Sequence, residues 1–169
     1  SIGQSLARKA VALGLRVLAL SRPGQAIADI PGVERVADLR QLFAGSDHLV
    51  LAAPLTVATR GLIDRQVLAY ARPGLHLINI ARGGLIDQQA LLDALDSGLI
   101  GRASLDVTEP EPLPVGHPLY HHPRVFLSPH TSAISEDGYP AFLDAFIANF
   151  HRYREQAPLA NLVDTARGY

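Results

Sequence analysis

Side chains with acid–base or anion-binding chemistry follow three of the apolar runs in this sequence. Arg82 comes directly after the run at 75–80, Glu109 and Glu111 alternate with prolines further along, and His130 follows another apolar run. An arginine fork suits a carboxylate held by two hydrogen bonds. Histidine is the usual general acid or base near neutral pH, and a buried glutamate beside it favours the charged imidazolium. These residues predict a catalytic site for a carboxylate substrate, and spacing alone does not choose between the two glutamates.

Helical and strand-like segments alternate along the chain. Apolar spacing predicts a first helix at 2–13, ended by Gly14, and a later helix at 87–95 with Asp87 as its N-cap. A Pro- and Gly-rich loop is expected at 21–32. The other predicted helices cover 36–43, 62–71 and 136–154, and the predicted strands cover 16–20, 48–53, 75–80, 103–107 and 125–128. This alternation indicates βαβ units, that is, an α/β fold with a doubly wound parallel sheet that binds ligands beyond the carboxyl ends of its strands.

The pattern changes near Ile134, where a long helix has no following strand to join the sheet. We therefore predict two parts: a nucleotide-binding domain at 1–133, incomplete at its N-terminus, and a C-terminal segment at 134–169 that belongs to a different, substrate-binding domain. The chain opens on Ser1 and contains no methionine. We read it as a fragment of a longer protein.

Composition excludes several classes of protein. Of the 169 residues 48% are hydrophobic and 18% charged, which is enough to bury a core. Fifteen basic residues against 16 acidic ones give a net charge of −1, which argues against nucleic-acid or anionic-membrane partners. No apolar stretch approaches the roughly 18 residues of a membrane span. The absence of cysteine excludes disulfides, zinc–thiolate sites and a cysteine nucleophile, and favours a cytoplasmic protein.

Histidines elsewhere in the sequence do not predict a metal site. His117, His121 and His122 lie on a proline-interrupted loop without the helix that would align them as ligands. His48 and His76 fall within predicted strands, where we expect packing roles. We predict no bound metal.

The start of the first helix resembles a dinucleotide-binding turn. Gly3 occupies the place of the last glycine of a Gly-x-Gly-x-x-Gly turn, although one glycine at a helix start is also common without a ligand. On the first reading, the helix N-terminus at Ile2 and Gly3 receives a pyrophosphate. After the next strand, Ser21 and Arg22 stand where an acid would bind the ribose of NAD. A hydroxyl and a guanidinium suit a 2′-phosphate, so NADP(H) is favoured and NAD(H) remains possible; the alternative is a solvated loop arginine.

Several stretches together resemble the D-isomer-specific 2-hydroxyacid dehydrogenases, over essentially the whole chain. They are SIGQSLARKA at 1–10, PLTVATRGLI at 54–63, NIARGGLIDQQALLDAL at 79–95, ASLDVTEPEPLP at 103–114, HPLYHHPRVFLSPHTSA at 117–133 and DTARGY at the end. The tail and Ser21-Arg22 are most similar to the bacterial NADPH-dependent glyoxylate/hydroxypyruvate reductases. The resemblance implies a Rossmann-like fold whose first strand is missing from this chain.

The resemblance also implies roles for individual residues. Arg82 matches the substrate-anchoring arginine and His130 the acid–base histidine. The glutamate before the proline of the family's Asp-Val-x-x-x-Glu-Pro pattern is Glu111, which selects it over Glu109. The implied cofactor contacts are Ser1, Ile2, Gly3, Ser21, Arg22, Pro54, Thr59, Ile80, Ala81, Arg82, Asp106, His130, Thr131 and Ser132.

The activity implied by the resemblance is reduction of a small 2-oxo acid, of the glyoxylate or hydroxypyruvate type, to a D-2-hydroxy acid by NADPH. Two alternatives stay open: an NAD-dependent dehydrogenase of another hydroxy acid, and a nucleotide-sensing interaction protein like the family's corepressors. Family members are commonly homodimers. Because the resemblance places most of the substrate domain before residue 1, we expect this chain alone to be inactive and marginally stable.

Overall fold

The computed structural model describes residues 2–21, 30–136 and 138–165. The chain divides into two compact units, residues 1–129 and 130–169. The domain assignment from the sequence, with a boundary at 133/134, stays a prediction.

Strands and helices alternate through the first unit. Its strands are β1 (Val17–Ala19), β2 (Val33–Arg35), β3 (His48–Leu51), β4 (His76–Asn79), β5 (Arg102–Leu105) and β6 (Val125–Leu127). Its helices are α1 (Ile2–Ala12), α2 (Leu39–Gly45), α3 (Arg65–Leu68) and α4 (Gln88–Asp96), with 3₁₀ turns at Gly83–Leu85 and Pro118–Tyr120.

All strand pairs in these two sheets are parallel. Strands β1 and β2 form one sheet, and β3, β4, β5 and β6 form a second sheet in that spatial order. The predicted Rossmann-like α/β class is confirmed. Because all four strands of the larger sheet point the same way, their carboxyl ends share one edge, here called the carboxyl edge. Their first residues share the opposite edge, here called the amino edge.

The core lies where α4 and its neighbours cover the four-stranded sheet. Helix α4 buries Ala90, Leu91, Ala94 and Leu95 at the spacing of one helical face. Its predicted N-cap is confirmed, because the Asp87 side chain accepts a hydrogen bond from the Ala90 N–H at 3.0 Å. The other large buried side chains include Phe43, Ile63, Leu68, Leu75, Leu77, Ile100 and Leu119. Helix α4 is therefore fixed from both its cap and its apolar face.

Two predicted elements are wrong in detail. The segment at 33–35, for which no element was predicted, forms β2, and the helix predicted at 36–43 begins at Leu39 after the N-cap Asp38. The helix predicted at 62–71 is reduced to the single turn α3. The first residues of the predicted helix pair with residues 85–87 instead: the Ile63 N–H donates to the Leu85 carbonyl at 2.9 Å, and the Ile63 carbonyl accepts from the Asp87 N–H at 3.0 Å.

The second unit contains α5 (Gly138–Arg154), close to the helix predicted at 136–154. None of its described residues is buried, and Phe142, Phe146 and Phe150 are exposed. The segment after the helix folds back on it through Asn149, whose side-chain amide accepts from the Ala160 N–H at 2.9 Å and donates to the Ala160 carbonyl at 3.1 Å. Among the helices that the structure describes, none has the length and apolar character required to span a bilayer.

Candidate functional site

Within the first unit, most of the predicted site residues follow strand ends at the carboxyl edge. Pro54 follows β3, the run Ile80-Ala81-Arg82 follows β4, and Asp106 follows β5. These strands are neighbours in the sheet, so the three groups leave it side by side. This is where open α/β sheets bind ligands.

Asn79, the last residue of β4, holds the backbone that carries Arg82. Its side chain is fully buried, accepts from the Ala81 N–H at 3.0 Å and donates to the Arg82 carbonyl at 2.9 Å. Its own carbonyl accepts from the Asp106 N–H at 3.0 Å. Asn79 was not among the predicted site residues. A buried polar residue at the end of an apolar strand is the signal that could have found it, because such groups require partners.

Gly83 and Gly84 bring the segment after Arg82 into direct contact with the loop that holds both glutamates. A Cβ on Gly83 would overlap the Thr108 carbonyl group and lie 2.6 Å from the Glu109 nitrogen. A Cβ on Gly84 would collide with the Glu109 carboxylate and lie 2.9 Å from the Arg60 guanidinium. Gly83 therefore excludes a side chain because it meets backbone, whereas a side chain at Gly84 would have to displace the ends of the Glu109 and Arg60 side chains. We call residues 82–88 the arginine segment and residues 108–112 the glutamate loop.

A third loop, which follows β3, is joined to the arginine segment by backbone pairing. Gly61 donates to the Gly84 carbonyl at 2.8 Å, and Ile63 forms a parallel bridge with Ile86. The predicted cofactor residue Thr59 is buried in this loop, where its hydroxyl donates to the Pro54 carbonyl at 2.7 Å and accepts from the Thr56 N–H at 2.8 Å. Its observed contacts thus shape the loop that follows Pro54.

The Arg82 side chain is exposed on this fixed backbone. Its guanidinium donates to the carbonyl of its own neighbour, Ala81, at 2.6 Å. A single bond to an adjacent carbonyl leaves most of the five N–H donors of an arginine for other acceptors. The arrangement can bind an anionic group in a bidentate manner.

Asp106 is a buried carboxylate at the carboxyl edge. It is 4% exposed, and the Ser128 hydroxyl donates to its Oδ1 at 2.5 Å. Ser128 directly follows β6, so this hydrogen bond ties the ends of β5 and β6 together. Ser128 was not a predicted site residue either.

The two glutamates that spacing could not separate have different surroundings. Glu109 forms an ion pair with Arg60 at 2.9 Å, and both side chains are about half exposed. Its backbone is held by the side chain of Gln88. Glu111, two residues on, is also exposed and lies on the same loop. Glu109 therefore has a structural role in anchoring the loop that carries Glu111.

His130 begins the second unit, together with the exposed Thr131 and Ser132. Its backbone has φ 54°, in the left-handed region that non-glycine residues seldom occupy. Residues held in such conformations cluster at functional sites. The structure thus brings Arg82, Asp106 and the glutamate loop together within the first unit, and it places His130 in the second.

The start of α1 is the predicted pyrophosphate site. Its first turn contains no acidic residue, Ile2 is exposed, and Gly3 lies beside Ala52, just beyond β3, where an added Cβ would be 3.7 Å from the Ala52 Cβ. The exposed N–H groups of a helix start favour a phosphate. Ser21 is half-buried two residues beyond β1. The predicted contacts Ser1 and Arg22 lie outside the described residues.

Histidines elsewhere in the first unit are paired in other ways. At the amino edge, the His48 and His76 Nδ1 atoms are 3.3 Å apart, and His76 Nε2 is 2.9 Å from the Ser104 hydroxyl. His48 is exposed rather than packed. Burial, then His48 and Arg102, lower the pKa of His76. Within residues 2–21, 30–136 and 138–165, no three potential ligands among His, Asp and Glu cluster as a metal site would require.

Comparison with known proteins identifies the family of this fold and site. Residues 1–132 match the family model for the D-isomer specific 2-hydroxyacid dehydrogenase, NAD binding domain. The chain belongs to this family, whose members are oxidoreductases.

Relatives with assigned functions cover the same range. Glyoxylate/hydroxypyruvate reductase A of Serratia proteamaculans is 37% identical over 171 residues, which cover 99% of this chain and 53% of that protein. D-3-phosphoglycerate dehydrogenase of Methanocaldococcus jannaschii is 38% identical over 142 residues, covering 83% of this chain and 27% of that enzyme. The chain spans about half the length of the reductases it matches.

A solved structure has nearly the same fold. The D-isomer specific 2-hydroxyacid dehydrogenase of Xanthobacter autotrophicus Py2, in complex with NADPH and MES, superposes with a TM-score of 0.89 at 37% identity. The match covers 99% of this chain and 68% of that one. The NADPH-dependent glyoxylate/hydroxypyruvate reductase of Sinorhizobium meliloti, in complex with NADP and sulfate, has a TM-score of 0.88 at 34% identity, covering 99% of this chain and 54% of that one.

Proposed function

We propose that the protein containing this chain reduces a small 2-oxo acid, of the glyoxylate or hydroxypyruvate type, with NADPH. The observation that carries the proposal is the exposed Arg82 guanidinium on a backbone fixed by Asn79, Gly83 and Gly84 at the carboxyl edge. A fixed cationic fork at this edge suits a short carboxylate substrate, because two parallel hydrogen bonds set its orientation. The reductases among the relatives support this substrate class.

Each proposed site residue has a role of its own. Arg82 would hold the substrate carboxylate and orient the 2-oxo group. His130 would donate a proton to the developing alkoxide oxygen, and Glu111 would support its charged form; both roles rest on the family resemblance. The reduced nicotinamide, when bound, supplies the hydride. The α1 start would receive the pyrophosphate, and Asp106 and Ala81 would contact the cofactor, as the family resemblance implies.

NADPH is favoured over NADH because Ser21 and Arg22 stand where NAD-dependent members need an acid. The two neighbouring structures in complex with NADPH and NADP support the same choice. A carboxylate there would repel the 2′-phosphate, whereas a hydroxyl and a guanidinium can bind it.

The test follows oxidation of NADPH and NADH in parallel, with glyoxylate and hydroxypyruvate, in the intact protein that carries this sequence. We expect kcat/KM to be higher with NADPH by at least about tenfold, which corresponds to roughly 1.4 kcal/mol for contacts to the 2′-phosphate. Arg22→Asp should weaken NADPH binding more than NADH binding. Arg8→Asp, a change of the same type on the exposed surface of α1, is the matched control.

Three outcomes would contradict parts of the proposal. Turnover with NADH alone would reverse the cofactor assignment. Turnover of a phosphorylated hydroxy acid in place of glyoxylate and hydroxypyruvate would favour an activity like that of the phosphoglycerate dehydrogenases among the relatives. Nucleotide binding without turnover of any 2-oxo acid would overturn the reductase.

A further inference from the structure

Gln88, the last residue of the arginine segment, is hydrogen-bonded to the glutamate loop. Its side-chain Oε1 accepts a hydrogen bond from the Glu109 N–H at 3.1 Å, and its Nε2 donates to the Glu109 carbonyl. One amide side chain thus occupies both hydrogen-bonding groups of a single backbone residue, two positions before Glu111. Such a paired contact fixes both the position and the direction of the loop backbone at this point.

The backbone that carries the Gln88 side chain is rigid. Gln88 is the first residue of α4, directly after the N-cap Asp87, and the next turns of the helix are buried in the core. On its other side, the arginine segment is paired with residues 61–63 and touches Thr108 and Glu109 through Gly83. The helix therefore serves as a fixed support for the Gln88 amide.

Arg60 also contacts Glu109, but it holds the loop less firmly. The ion pair joins two side chains that are 59% and 47% exposed, and exposed pairs of this kind contribute little. It fixes the Glu109 side chain rather than the loop backbone. The contact through Gln88 instead holds the loop backbone itself, alongside the hydrogen bond from the Thr108 hydroxyl to the Pro110 carbonyl at 3.0 Å.

We propose that Gln88 is a positioning residue that fixes Glu111 relative to Arg82 by holding the Glu109 backbone. The effect on turnover rests on the proposed function, while the hold on the loop does not. Loss of the amide should free the glutamate loop while leaving α4, the α1 start and Arg82 unchanged. Gln88 would then act through Glu111 without contact with substrate or cofactor.

The first test is amide exchange of the intact protein. Gln88→Ala should speed exchange of the Glu109 N–H about tenfold or more, because that amide loses its acceptor. Gln89→Ala is the matched control, because the neighbouring Gln89 side chain is exposed and, among the described contacts, donates only to Asp93, at 2.9 Å. Gln88→Glu keeps an acceptor for the Glu109 N–H but loses the donor, so it should restore part of the protection. Unchanged exchange in Gln88→Ala would overturn the proposal.

The second test is a double-mutant cycle on turnover. Displacement of a catalytic group by about 1 Å can cost up to roughly 100-fold in rate, so Gln88→Ala should lower kcat by about 10–100-fold with KM for NADPH unchanged. In a Glu111→Gln background the same change should have almost no further effect. Additive losses would show that Gln88 does not act through Glu111 and would overturn the proposal.

The two tests separate this proposal from the proposed function. A wild-type protein without 2-oxo acid reduction would contradict the proposed function, and the exchange test would still decide whether Gln88 holds the loop. Faster Glu109 exchange with wild-type kcat in an active enzyme would overturn the positioning role alone.

Discussion

The two edges of the four-stranded sheet are built from the same four strands but differ in how their polar groups are held. At the carboxyl edge, Asn79 and Asp106 are buried and bonded to backbone or to Ser128, and Arg82 is exposed beyond them. At the amino edge, His48, His76 and Arg102 interact mainly with one another and with Ser104. The difference is that a charged side chain is presented beyond buried, bonded polar groups at the carboxyl edge, whereas the polar groups of the amino edge bond to one another.

The largest effect should come from Arg82. On the proposed function, Arg82→Ala would remove two charge-assisted hydrogen bonds to the substrate carboxylate, each worth about 1.5–3 kcal/mol, so kcat/KM should fall by at least about 10²-fold. The free energy of unfolding should change by less than about 0.5 kcal/mol, as for other exposed side chains. Steady-state kinetics and urea unfolding measure the two quantities.

Arg102→Ala is the control at the amino edge, since Arg102 is also exposed and begins the strand next to β4. It should leave kcat/KM unchanged. Equal losses of activity in both variants would remove the functional distinction between the two edges.

A smaller effect is expected at Gly83, where a methyl group has no room. Gly83→Ala should destabilise the protein by about 3 kcal/mol, near the upper end for overpacking, because the backbone of the glutamate loop must move. Gly14→Ala meets no atom within 4 Å and has only a positive φ to oppose it, so it should cost about 1 kcal/mol. Chemical denaturation gives both values, and a Gly83→Ala variant as stable as Gly14→Ala would contradict the observed contact.

The smallest effect should appear at the amino edge as a dependence of stability on pH. Because the pKa of folded His76 lies below its usual value of 6.5, the unfolded chain binds a proton first as the pH falls. Stability should therefore decrease as the pH drops below about 6.5 and level off below the folded pKa. Urea unfolding between pH 8 and pH 5 measures this change.

His76→Gln should abolish most of this loss of stability at low pH. His48→Gln should make the loss smaller, because charge on His48 is one of the causes of the lowered His76 pKa. Both variants should keep wild-type kcat. A His76→Gln protein with the full wild-type pH dependence would assign the effect to another group.

Much of this architecture could be predicted where local signals agreed. The apolar runs around β3, β4 and β5 and the capping Asp87 before α4 identified those elements, because burial and capping leave marks in adjacent residues. Strand β2 could not be predicted, because two of its three residues are exposed and it has no apolar run. The helix predicted at 62–71 failed because Ile63 pairs with the arginine segment, a partner more than 20 residues away.

The charged residues of the candidate site could be predicted from the sequence, but the residues that hold them in place could not. Arg82 and the glutamates could be predicted as candidates because their types suit chemistry after apolar runs, and Asp106 was implied by the family resemblance. Asn79, Gln88 and Ser128 were missed because their importance lies in hydrogen bonds to residues distant in the chain, such as Gln88 to Glu109. Such contacts depend on the packed fold, which spacing along the sequence does not show.

The backbone bonds around Arg82 also determine the entropy of ligand binding. If the arginine segment were loose, ordering its seven residues would cost about 1–2 kcal/mol for each residue, enough to cancel most of the affinity for a small acid. Since the segment is already ordered by Asn79 and by its pairing with residues 61–63, a ligand has only the Arg82 side chain to immobilise, at about 2 kcal/mol. Folding has thus already ordered this backbone, so the proposed substrate, an acid of only a few atoms, would have only the smaller entropic cost to meet when it binds.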